Sequence, residues 1–495
     1  MSVLVPATPH QRDRALEVLL SPELDPIVDM VAWSEADGAY EVASAEGAVR
    51  FRRDRDAENG YRTESVSGNN PLAVQEQTRF AGLEVERATP HPVRQQNSYP
   101  NAFEQFAQLF DHPSAPDLCV IHSASHNWAD QGGHLGEHGS LGVVQARAPF
   151  IASGAGVPRL GMADIGCRLI DVAPTMLRLL ATGDHGDRAL LSRQDGSAVE
   201  DLVQTPGRAK HLIGFLWDGT NANVLYDLAA RGEAPNVARL ISQGTACRYG
   251  ALASLPTVTL ANHTSILTGS HPGHHGILHN AWIDRATGAQ VVTNSPTTWA
   301  TSMRWLHSGV ETMHHAAKRT RSGTTASINE PCDVGADYST FGLVRSGERP
   351  PPAPGPDDLP DATTRFVRPS KDYRWASRAD HTAVEQFHRI WARADGDQPV
   401  FTWVNFTLTD AAFHEGGPYS EMAMSAVRDS DARLGRMLEE VEESGVWDDC
   451  AFFLVADHGM EESNPAVRGD WDAALAEANV PVRDEGYGFL YLGGS

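Results

Sequence analysis

The chain has 495 residues, and its 64 Asp and Glu residues outnumber its 40 Lys and Arg residues, which gives a formal net charge of −24. This length allows a large buried core and is typical of one large α/β domain with insertions. The negative charge argues against a nucleic acid duplex as partner, and an anionic substrate would have to be attracted by local cations or metal ions.

The five cysteines are far apart and form no Cys-x-x-Cys pair, which is typical of reduced thiols in a cytoplasmic protein. They are Cys119, Cys167, Cys247, Cys332 and Cys450. The N-terminal residues show no basic segment followed by an apolar one, and no run of about 18 apolar residues occurs. From these features we expect a cytoplasmic protein with no membrane partner. No feature of the sequence indicates the oligomeric state.

Five short apolar runs are each followed by a polar turn and a stretch with helical periodicity. In chain order they cover residues 117–121, 148–152, 211–217, 401–406 and 451–456. This pattern predicts parallel strands joined by crossover helices.

Acidic residues follow the last three of these runs, namely Asp218, Asp410 and Asp457. Ligands of open parallel sheets bind beyond the carboxyl ends of the strands, so these side chains can converge although they are distant in sequence. A single Asp at such a place is often a helix cap or a turn former. Three of them with neighbouring histidines favour a functional site.

Two histidines accompany these aspartates, because His458 follows Asp457 and His414 lies four residues after Asp410. Carboxylates and neutral imidazoles are the ligands that suit Zn²⁺ and related ions. The set is one histidine short of two three-ligand sites. No histidine follows His458, so the missing ligand must come from upstream, where we favour His138. His134 is the alternative, and both could also lie in a solvated loop.

Four motifs together resemble the nucleotide pyrophosphatase/phosphodiesterase branch of the alkaline phosphatase superfamily. They are Phe215-Leu-Trp-Asp-Gly-Thr, Pro256-Thr-Val-Thr-Leu-Ala-Asn-His-Thr-Ser-Ile-Leu-Thr-Gly, His271-Pro-Gly-His-His-Gly-Ile-Leu-His-Asn and Ala456-Asp-His-Gly-Met. The resemblance covers most of the chain. It implies an alkaline-phosphatase-like α/β fold, with a central mostly parallel sheet flanked by helices and a small α+β accessory subdomain.

The resemblance also implies the roles of the site residues. One divalent metal ion would be held by Asp218, Asp457, His458 and Thr259, and a second by Asp410, His414 and His138. Zn²⁺ is the expected metal, with Mn and Fe ions as alternatives. Thr259 would be the nucleophile, with Thr257 as its rival, and would form a covalent phosphothreonine. Asn280 would bind a phosphoryl oxygen.

The expected substrate is a small phosphate ester, and phosphodiesters or nucleotide pyrophosphates are favoured. Asn280 is a neutral donor where phosphomonoesterases of the superfamily use arginine, which fits the lower charge of a diester. The alternatives are a phosphomonoester or a phosphonate such as phosphonoacetate, and a metal-binding protein without turnover. Trp217 and Phe413 could line a pocket for a flat leaving group, although core packing is equally plausible for both.

The order of the motifs is inverted relative to the family, where the Asp-Gly-Thr strand comes near the start and the Gly-x-His-Gly histidine near the end. We therefore expect a circular permutant whose former termini are joined near residues 200–210. The predicted parts are an accessory subdomain (1–60 with 470–495), the former C-terminal part of the core (95–203), a linker (204–210) and the former N-terminal part (211–469), with an insertion around 295–375.

Overall fold

The computed structural model describes residues 7–128, 133–181, 190–351, 371–392, 397–485 and 488–493. The strands are β1 (Val28–Ser34), β2 (Tyr40–Ser44), β3 (Gly47–Arg53), β4 (Tyr61–Gly68), β5 (Leu118–His122), β6 (Gly136–Glu137), β7 (Arg147–Ala148), β8 (Phe150–Gly154), β9 (Gly161–Ala163), β10 (Cys167–Arg168), β11 (His211–Trp217), β12 (Gly244–Cys247), β13 (Ala251–Leu252), β14 (Ala281–Asp284), β15 (Ala289–Val292), β16 (Thr325–Ile328), β17 (Tyr338–Ser339), β18 (Phe401–Phe406), β19 (Cys450–Val455), β20 (Glu461–Glu462), β21 (Val482–Glu485) and β22 (Phe489–Leu492).

The helices are α1 (Pro9–Leu19), α2 (Leu83–Ala88), α3 (Ala102–Leu109), α4 (Val143–Ala146), α5 (Val172–Leu180), α6 (Ala222–Ala230), α7 (Pro235–Gln243), α8 (Thr259–Thr268), α9 (Pro272–His275), α10 (Met313–Thr320), α11 (Thr340–Ser346), α12 (Lys371–Trp391), α13 (Leu408–Gly416), α14 (Glu421–Glu443) and α15 (Trp471–Glu477). Short 3-10 turns cover Leu169–Asp171, Glu200–Leu202, Trp299–Trp305 and Trp447–Asp449. None of the described helices is both long enough and apolar enough to span a membrane.

The main sheet has eight strands in the order β17-β16-β18-β11-β19-β8-β12-β9. The pairs of β11 with β18 and with β19 are parallel, as is the pair of β16 with β18. β8 runs antiparallel to both of its neighbours. The expectation of an α/β fold with a multi-stranded sheet and helices is therefore confirmed, whereas the apolar run 148–152 is not the parallel strand that we predicted.

Both faces of the main sheet are buried, and the central strand β11 shows why. Leu212 and Leu216 point into one hydrophobic core, while Ile213, Phe215 and Trp217 point into the core on the opposite face. Successive side chains of a strand alternate between faces, so an almost continuous apolar run is needed when helices cover both. Helices α5, α8 and α10 contribute to the first core, and α6, α7, α12 and α14 contribute to the second.

A second, seven-stranded sheet has the order β21-β22-β5-β1-β2-β3-β4, and its neighbouring strands pair antiparallel. It combines strands from both ends of the chain with β5, which we predicted as a parallel strand of the core. Residues 1–6 of the predicted accessory subdomain lie outside the described residues. Part of the predicted insertion at 295–375 also differs, because β16 and β17 belong to the main sheet.

The two ends of the described chain meet at Asp117. Its Oδ1 accepts a hydrogen bond from the backbone N–H of Ala7 (3.1 Å), and its Oδ2 accepts one from the N–H of Leu492 (2.9 Å). Arg285 lies 2.8 Å from the same carboxylate. One largely buried side chain thus fastens the beginning and the end of the described residues to one another.

A charged cluster around His274 connects the second sheet to the main body of the molecule. His274 Nδ1 lies 2.7 Å from Asp195 and its Nε2 lies 2.8 Å from Asp111, while Arg53 at the end of β3 binds the same Asp111 carboxylate. Burial lowers the pKa of His274, but hydrogen bonds to the two carboxylates outweigh this effect and raise the pKa to about 9. His274 is therefore a charged structural residue at neutral pH.

We predict that His274→Ala lowers the free energy of unfolding by about 2 kcal/mol at pH 6 and by progressively less at higher pH. The folded pKa is raised above the ordinary value of 6.5, so the stabilisation is fully present below that value. It is lost as the pH rises through about 9. Urea unfolding of both proteins between pH 6 and pH 10 measures the difference. The exposed His10→Ala is the control, and a pH-independent loss in His274→Ala would contradict the prediction.

Candidate functional site

Three aspartates lie at the carboxyl edge of the main sheet, as the sequence predicts. Asp218 directly follows β11, Asp457 follows β19 after one residue, and Asp410 lies in the first turn of α13, after β18. The backbone N–H of Asp218 donates to the carbonyl of Phe406 (2.9 Å), which continues the parallel ladder up to the site. The three carboxylates therefore converge because adjacent parallel strands end together.

Gly219 makes this close approach possible. Its φ is +62°, and a Cβ placed on it would lie 2.5 Å from Oδ1 of Asp410. Its backbone N–H also donates to Oδ1 of Asp457 (3.0 Å). A residue with a side chain would be strained at this φ and would push Asp410 away, so this glycine fits both requirements of the site.

The histidines His138, His414 and His458 form a cluster beside the aspartates. The Nε2 atoms of His138 and His414 are 3.1 Å apart, and the rings of His138 and His458 stack with centroids 3.6 Å apart. In each ring Nδ1 lies 2.8 to 2.9 Å from a backbone carbonyl oxygen, those of Thr257, Gly136 and Gly459, respectively. These contacts fix the rings with Nε2 available for a ligand.

The same Nε2 atoms face the carboxylates. His458 Nε2 lies 3.1 Å from Asp457 Oδ2 and 3.8 Å from Asp218 Oδ1. His414 Nε2 and His138 Nε2 lie 3.4 Å and 4.0 Å from Asp410 Oδ1. The structure thus brings together the six Asp and His side chains that the sequence analysis assigned to metal ions.

His134, the alternative to His138, also lies nearby, with its ring 4.6 Å from that of His414. It groups with Glu137 and His414, whereas His138 groups with Asp410 and His458. His138 therefore lies close to one predicted ligand of each ion, Asp410 and His458, and we favour it over His134 as the metal ligand.

Burial and the neighbouring charges shift the pKa values of several side chains in the cluster. Burial raises the pKa of Asp218, and the nearby Asp457 and Asp410 raise it further. Burial, reinforced by His458 and His414, lowers the pKa of His138, so its ring is neutral at pH 7. Burial also lowers the pKa of His458, but Asp457 outweighs it and raises the pKa to about 9. A proton and a metal ion would compete for Nε2 of His458.

The donor atoms fit divalent metal ions. Two groups of three residues, His138 with Asp410 and His458, and Asp218 with His263 and Asp457, each place their ligand atoms within 4.8 Å of one another. Among the described residues, several buried atoms of the site face one another as charged neighbours but make no hydrogen bond of good geometry: Oδ1 of Asp218, Oδ1 of Asp410, Oδ2 of Asp457, Nε2 of His263 and Nε2 of His458. Such atoms are costly unless a cation satisfies them.

His263 and Glu330 are site residues that the sequence analysis missed. His263 Nδ1 lies 2.8 Å from the fully buried carboxylate of Glu330, and its Nε2 lies 3.5 Å from Asp457 Oδ2 and 3.7 Å from Asp218 Oδ2. Two signals could have found them. His263 lies four residues after Thr259 on α8, hence on the same helical face. Glu330 follows β16 as the three aspartates follow their strands.

Thr259 is the first residue of α8 and therefore lies at the end of the helix that carries a partial positive charge. It is half-buried and lines the cavity that also contains His138, His414 and Asp410. Asn280 lines this cavity too, and its Oδ1 accepts a hydrogen bond from the N–H of Leu260 (3.3 Å). The amide nitrogen of Asn280 is thereby left to act as a donor.

Thr257, the rival nucleophile, is fully buried. Its hydroxyl donates to the carbonyl of Ser140 (2.8 Å) and accepts from the N–H of Gly139 (2.9 Å). Both hydrogen-bonding functions of this hydroxyl hold the loop of His138 in place, so Thr257 has a structural role.

Trp217 and Phe413 do not line a substrate pocket. Both side chains are fully buried in the core that lies beneath the sheet. Trp217 has the same strand parity as Ile213 and Phe215, so it points away from the site although it precedes Asp218. Instead, Trp299, Phe341 and Trp375 line a second cavity together with Thr259, Asp218 and His263. In it Trp299 and Trp375 stack with ring centroids 6.0 Å apart.

The fold and the site define the class: an α/β protein with a candidate site for divalent metal ions at the carboxyl edge of its sheet. Residues 212–494 match the model of the type I phosphodiesterase / nucleotide pyrophosphatase family, and the chain belongs to this family. The family resemblance stated from the motifs is thus confirmed.

Curated relatives agree with this family over part of their length. An uncharacterized pyrophosphatase/phosphodiesterase of Schizosaccharomyces pombe is 26% identical over 246 residues, which are 49% of this chain and 43% of that protein. A venom phosphodiesterase of Macrovipera lebetinus is 25% identical over 275 residues, which are 54% of this chain and 28% of that protein. The matches thus span less than half the length of these relatives.

Among solved structures, murine ectonucleotide pyrophosphatase / phosphodiesterase 5 aligns with 50% of this chain and 57% of its own, with a TM-score of 0.35 and 17% sequence identity. An inactive form of the same protein in complex with AMP aligns with 51% of this chain and 57% of its own, with a TM-score of 0.34 and 16% identity.

We predict that the protein binds two divalent ions per chain and that His138→Ala loses about one of them, because the substitution removes a neutral imidazole that lies close to Asp410 and His458. Plasma mass spectrometry of extensively dialysed protein measures the metal content. His134→Ala is the matched control and should keep both ions. A loss of metal in His134→Ala with full occupancy in His138→Ala would show that the two histidines have exchanged roles.

Proposed function

We propose that the protein hydrolyses phosphate esters with the help of two divalent metal ions, and that phosphodiesters or nucleotide pyrophosphates are its substrates. The observation that carries this proposal is the convergence of three aspartates and three histidines beside Thr259. Membership of the phosphodiesterase family supports it, since enzymes of this family use divalent metals. We retain Zn²⁺ as the expected metal and the cytoplasm as the expected location.

Asp218, Asp457 and His458 would hold one ion beside Thr259, and Asp410, His414 and His138 would hold the other. His458 borders both sets, since it lies near Asp218 and stacks on His138. When bound, two divalent cations would lower the pKa of the threonine hydroxyl and neutralise charge on the leaving oxygen. His263, held by Glu330, would orient the carboxylates of Asp218 and Asp457.

The protein's own groups would then carry out a two-step displacement. Thr259 Oγ1 attacks phosphorus, and the bond to the leaving oxygen breaks to give a phosphothreonine. Asn280 donates from its amide nitrogen to a phosphoryl oxygen, and the N-terminus of α8 adds its partial positive charge. Water then cleaves the phosphothreonine and restores the hydroxyl. Neutral donors of this kind suit the single charge of a diester better than the two charges of a monoester.

The circular permutation is also a proposal. His138 precedes the matched residues 212–494 but lies 3.1 Å from His414, so both parts of the chain contribute to one site. Ala7 and Leu492 lie close together because both donate to Asp117, and this proximity supports the proposed permutation. A fusion of two separately packed half-domains would not place His138 among ligands from the other half.

Replacing the nucleophile tests the proposed reaction. We expect Thr259→Ala to lower turnover of bis(4-nitrophenyl) phosphate by at least about 1,000-fold, because no side-chain oxygen remains to attack phosphorus. Thr259→Ser is the matched control, which keeps the hydroxyl and should retain measurable turnover. Metal content should stay nearly the same in all three proteins, because the Asp and His ligands of both ions remain.

The same assay distinguishes the substrate classes. The wild type should prefer the diester over 4-nitrophenyl phosphate and phosphonoacetate, and dialysis against a chelator should abolish turnover. Preference for the monoester or the phosphonate would replace the proposed substrate. Full activity of Thr259→Ala would exclude the threonine mechanism.

Rearranging the gene tests the permutation. A chain that begins at residue 208, with residues 495 and 1 joined by a short Gly-Ser linker, should fold and bind the same number of metal ions as the parent. Metal analysis and circular dichroism of both chains make the comparison. A rearranged chain that expresses but neither folds nor binds metal would argue for the fusion instead.

A further inference from the structure

A hairpin beside Thr259 presents two asparagines to the site. β14 and β15 pair antiparallel, and Asn280 and Asn294 flank the open end of the hairpin. The backbone N–H groups of Thr293 and Asn294 both donate to the carbonyl of Asn280, at 2.9 Å and 3.3 Å. The pairing of the strands thus holds the two asparagines side by side, whatever is bound at the site.

The orientation of the Asn294 side chain follows from its partner. The indole Nε1 of Trp299 lies 2.6 Å from Oδ1 of Asn294. An indole N–H can only donate, so the oxygen of the amide must face the tryptophan. The NH₂ group therefore points away from Trp299 with its two N–H donors. The usual ambiguity between amide oxygen and nitrogen does not arise for this residue.

Asn294 lies where the two cavities of the site meet. One cavity contains His138, His414 and Asp410, and the other contains Asp218 and His263. Among the described residues, Thr259 and Asn294 are the two that line both cavities. Since Thr259 lies at this junction, a phosphorus atom that it attacks would lie within reach of the Asn294 side chain.

We propose that Asn294 is a second amide donor of the phosphoryl site, which binds an oxygen of the phosphodiester beside Asn280 and is aligned by Trp299. The inference rests on the proposed function and adds a substrate-binding residue to it. Two neutral amides stabilise developing negative charge on a diester without adding a cation. Trp299 is a positioning residue, because it acts through Asn294.

Single substitutions test the contact. Asn294→Ala should lower kcat/KM for bis(4-nitrophenyl) phosphate by about 100-fold, mostly through kcat, because the donor acts on charge that develops in the transition state. Asn294→Asp keeps the shape but replaces the donor by a carboxylate, so its loss should be larger. Thr297→Ala, an exposed residue of the same loop, is the matched control and should behave like the wild type.

A double-mutant cycle tests the role of Trp299. Trp299→Phe keeps an aromatic ring but removes the N–H that aligns the amide, so it should lower kcat less than Asn294→Ala. Adding Trp299→Phe to Asn294→Ala should cause little further loss, because the two residues act through one contact. Strictly additive losses would overturn the positioning role, since a residue that only supports the fold acts independently of Asn294.

The outcomes separate this inference from the proposed function. If the wild type cleaves the diester and both Asn294→Ala and Asn294→Asp have the same kcat/KM as the wild type, the inference is wrong and the proposed function stands. If the wild type does not cleave the diester, both fail. Unchanged metal content and unchanged thermal unfolding of the variants, measured on the same samples, show that a loss of turnover comes from the missing donor.

Discussion

The mutual repulsion of Asp218, Asp410 and Asp457 is the constraint around which the rest of the structure is arranged. The parallel strands β11, β18 and β19 end together and bring the three carboxylates to one place, where Asp218 and Asp457 are buried and Asp410 is partly exposed. Burial raises the pKa of Asp218, and the neighbouring Asp457 and Asp410 raise it further. Like charges brought together in this way would favour separation. Because Gly219 has no side chain, Asp410 can lie close to the other two aspartates. The surrounding histidines and unpartnered oxygens then make the site suitable for cations.

This constraint also explains why a distant part of the chain is needed. The proposed ligands that follow β11, β18 and β19 include two histidines. The third histidine, His138, lies on the loop before α4. Thr257 fixes that loop through its hydroxyl, and its carbonyl oxygen orients the ring of His138. The segment that carries Thr259 therefore also places His138. A displacement of this segment would disturb the nucleophile and the ligand together.

Much of the site could be predicted because its ligands follow strands that are easy to recognise. The apolar runs before Asp218, Asp410 and Asp457 are long and buried, and the count of histidines led to His138. Glu330 was missed because β16 is only four residues long and was assigned to an insertion. The error at Trp217 has another cause. Adjacency to Asp218 suggested a pocket, whereas the alternation of β11 places this side chain in the core.

Other features depend on contacts that no local pattern contains. β5 has the same apolar character as a core strand, but its partners β1 and β22 come from opposite ends of the chain. The orientation of the Asn294 amide also depends on such contacts, because Trp299 sets the direction of this side chain. The hairpin between Asn280 and Asn294 places these two residues next to each other. A sequence shows which residues can donate or accept. The fold decides which atom of an amide remains free, and at the junction of the two cavities that choice makes Asn294 a donor.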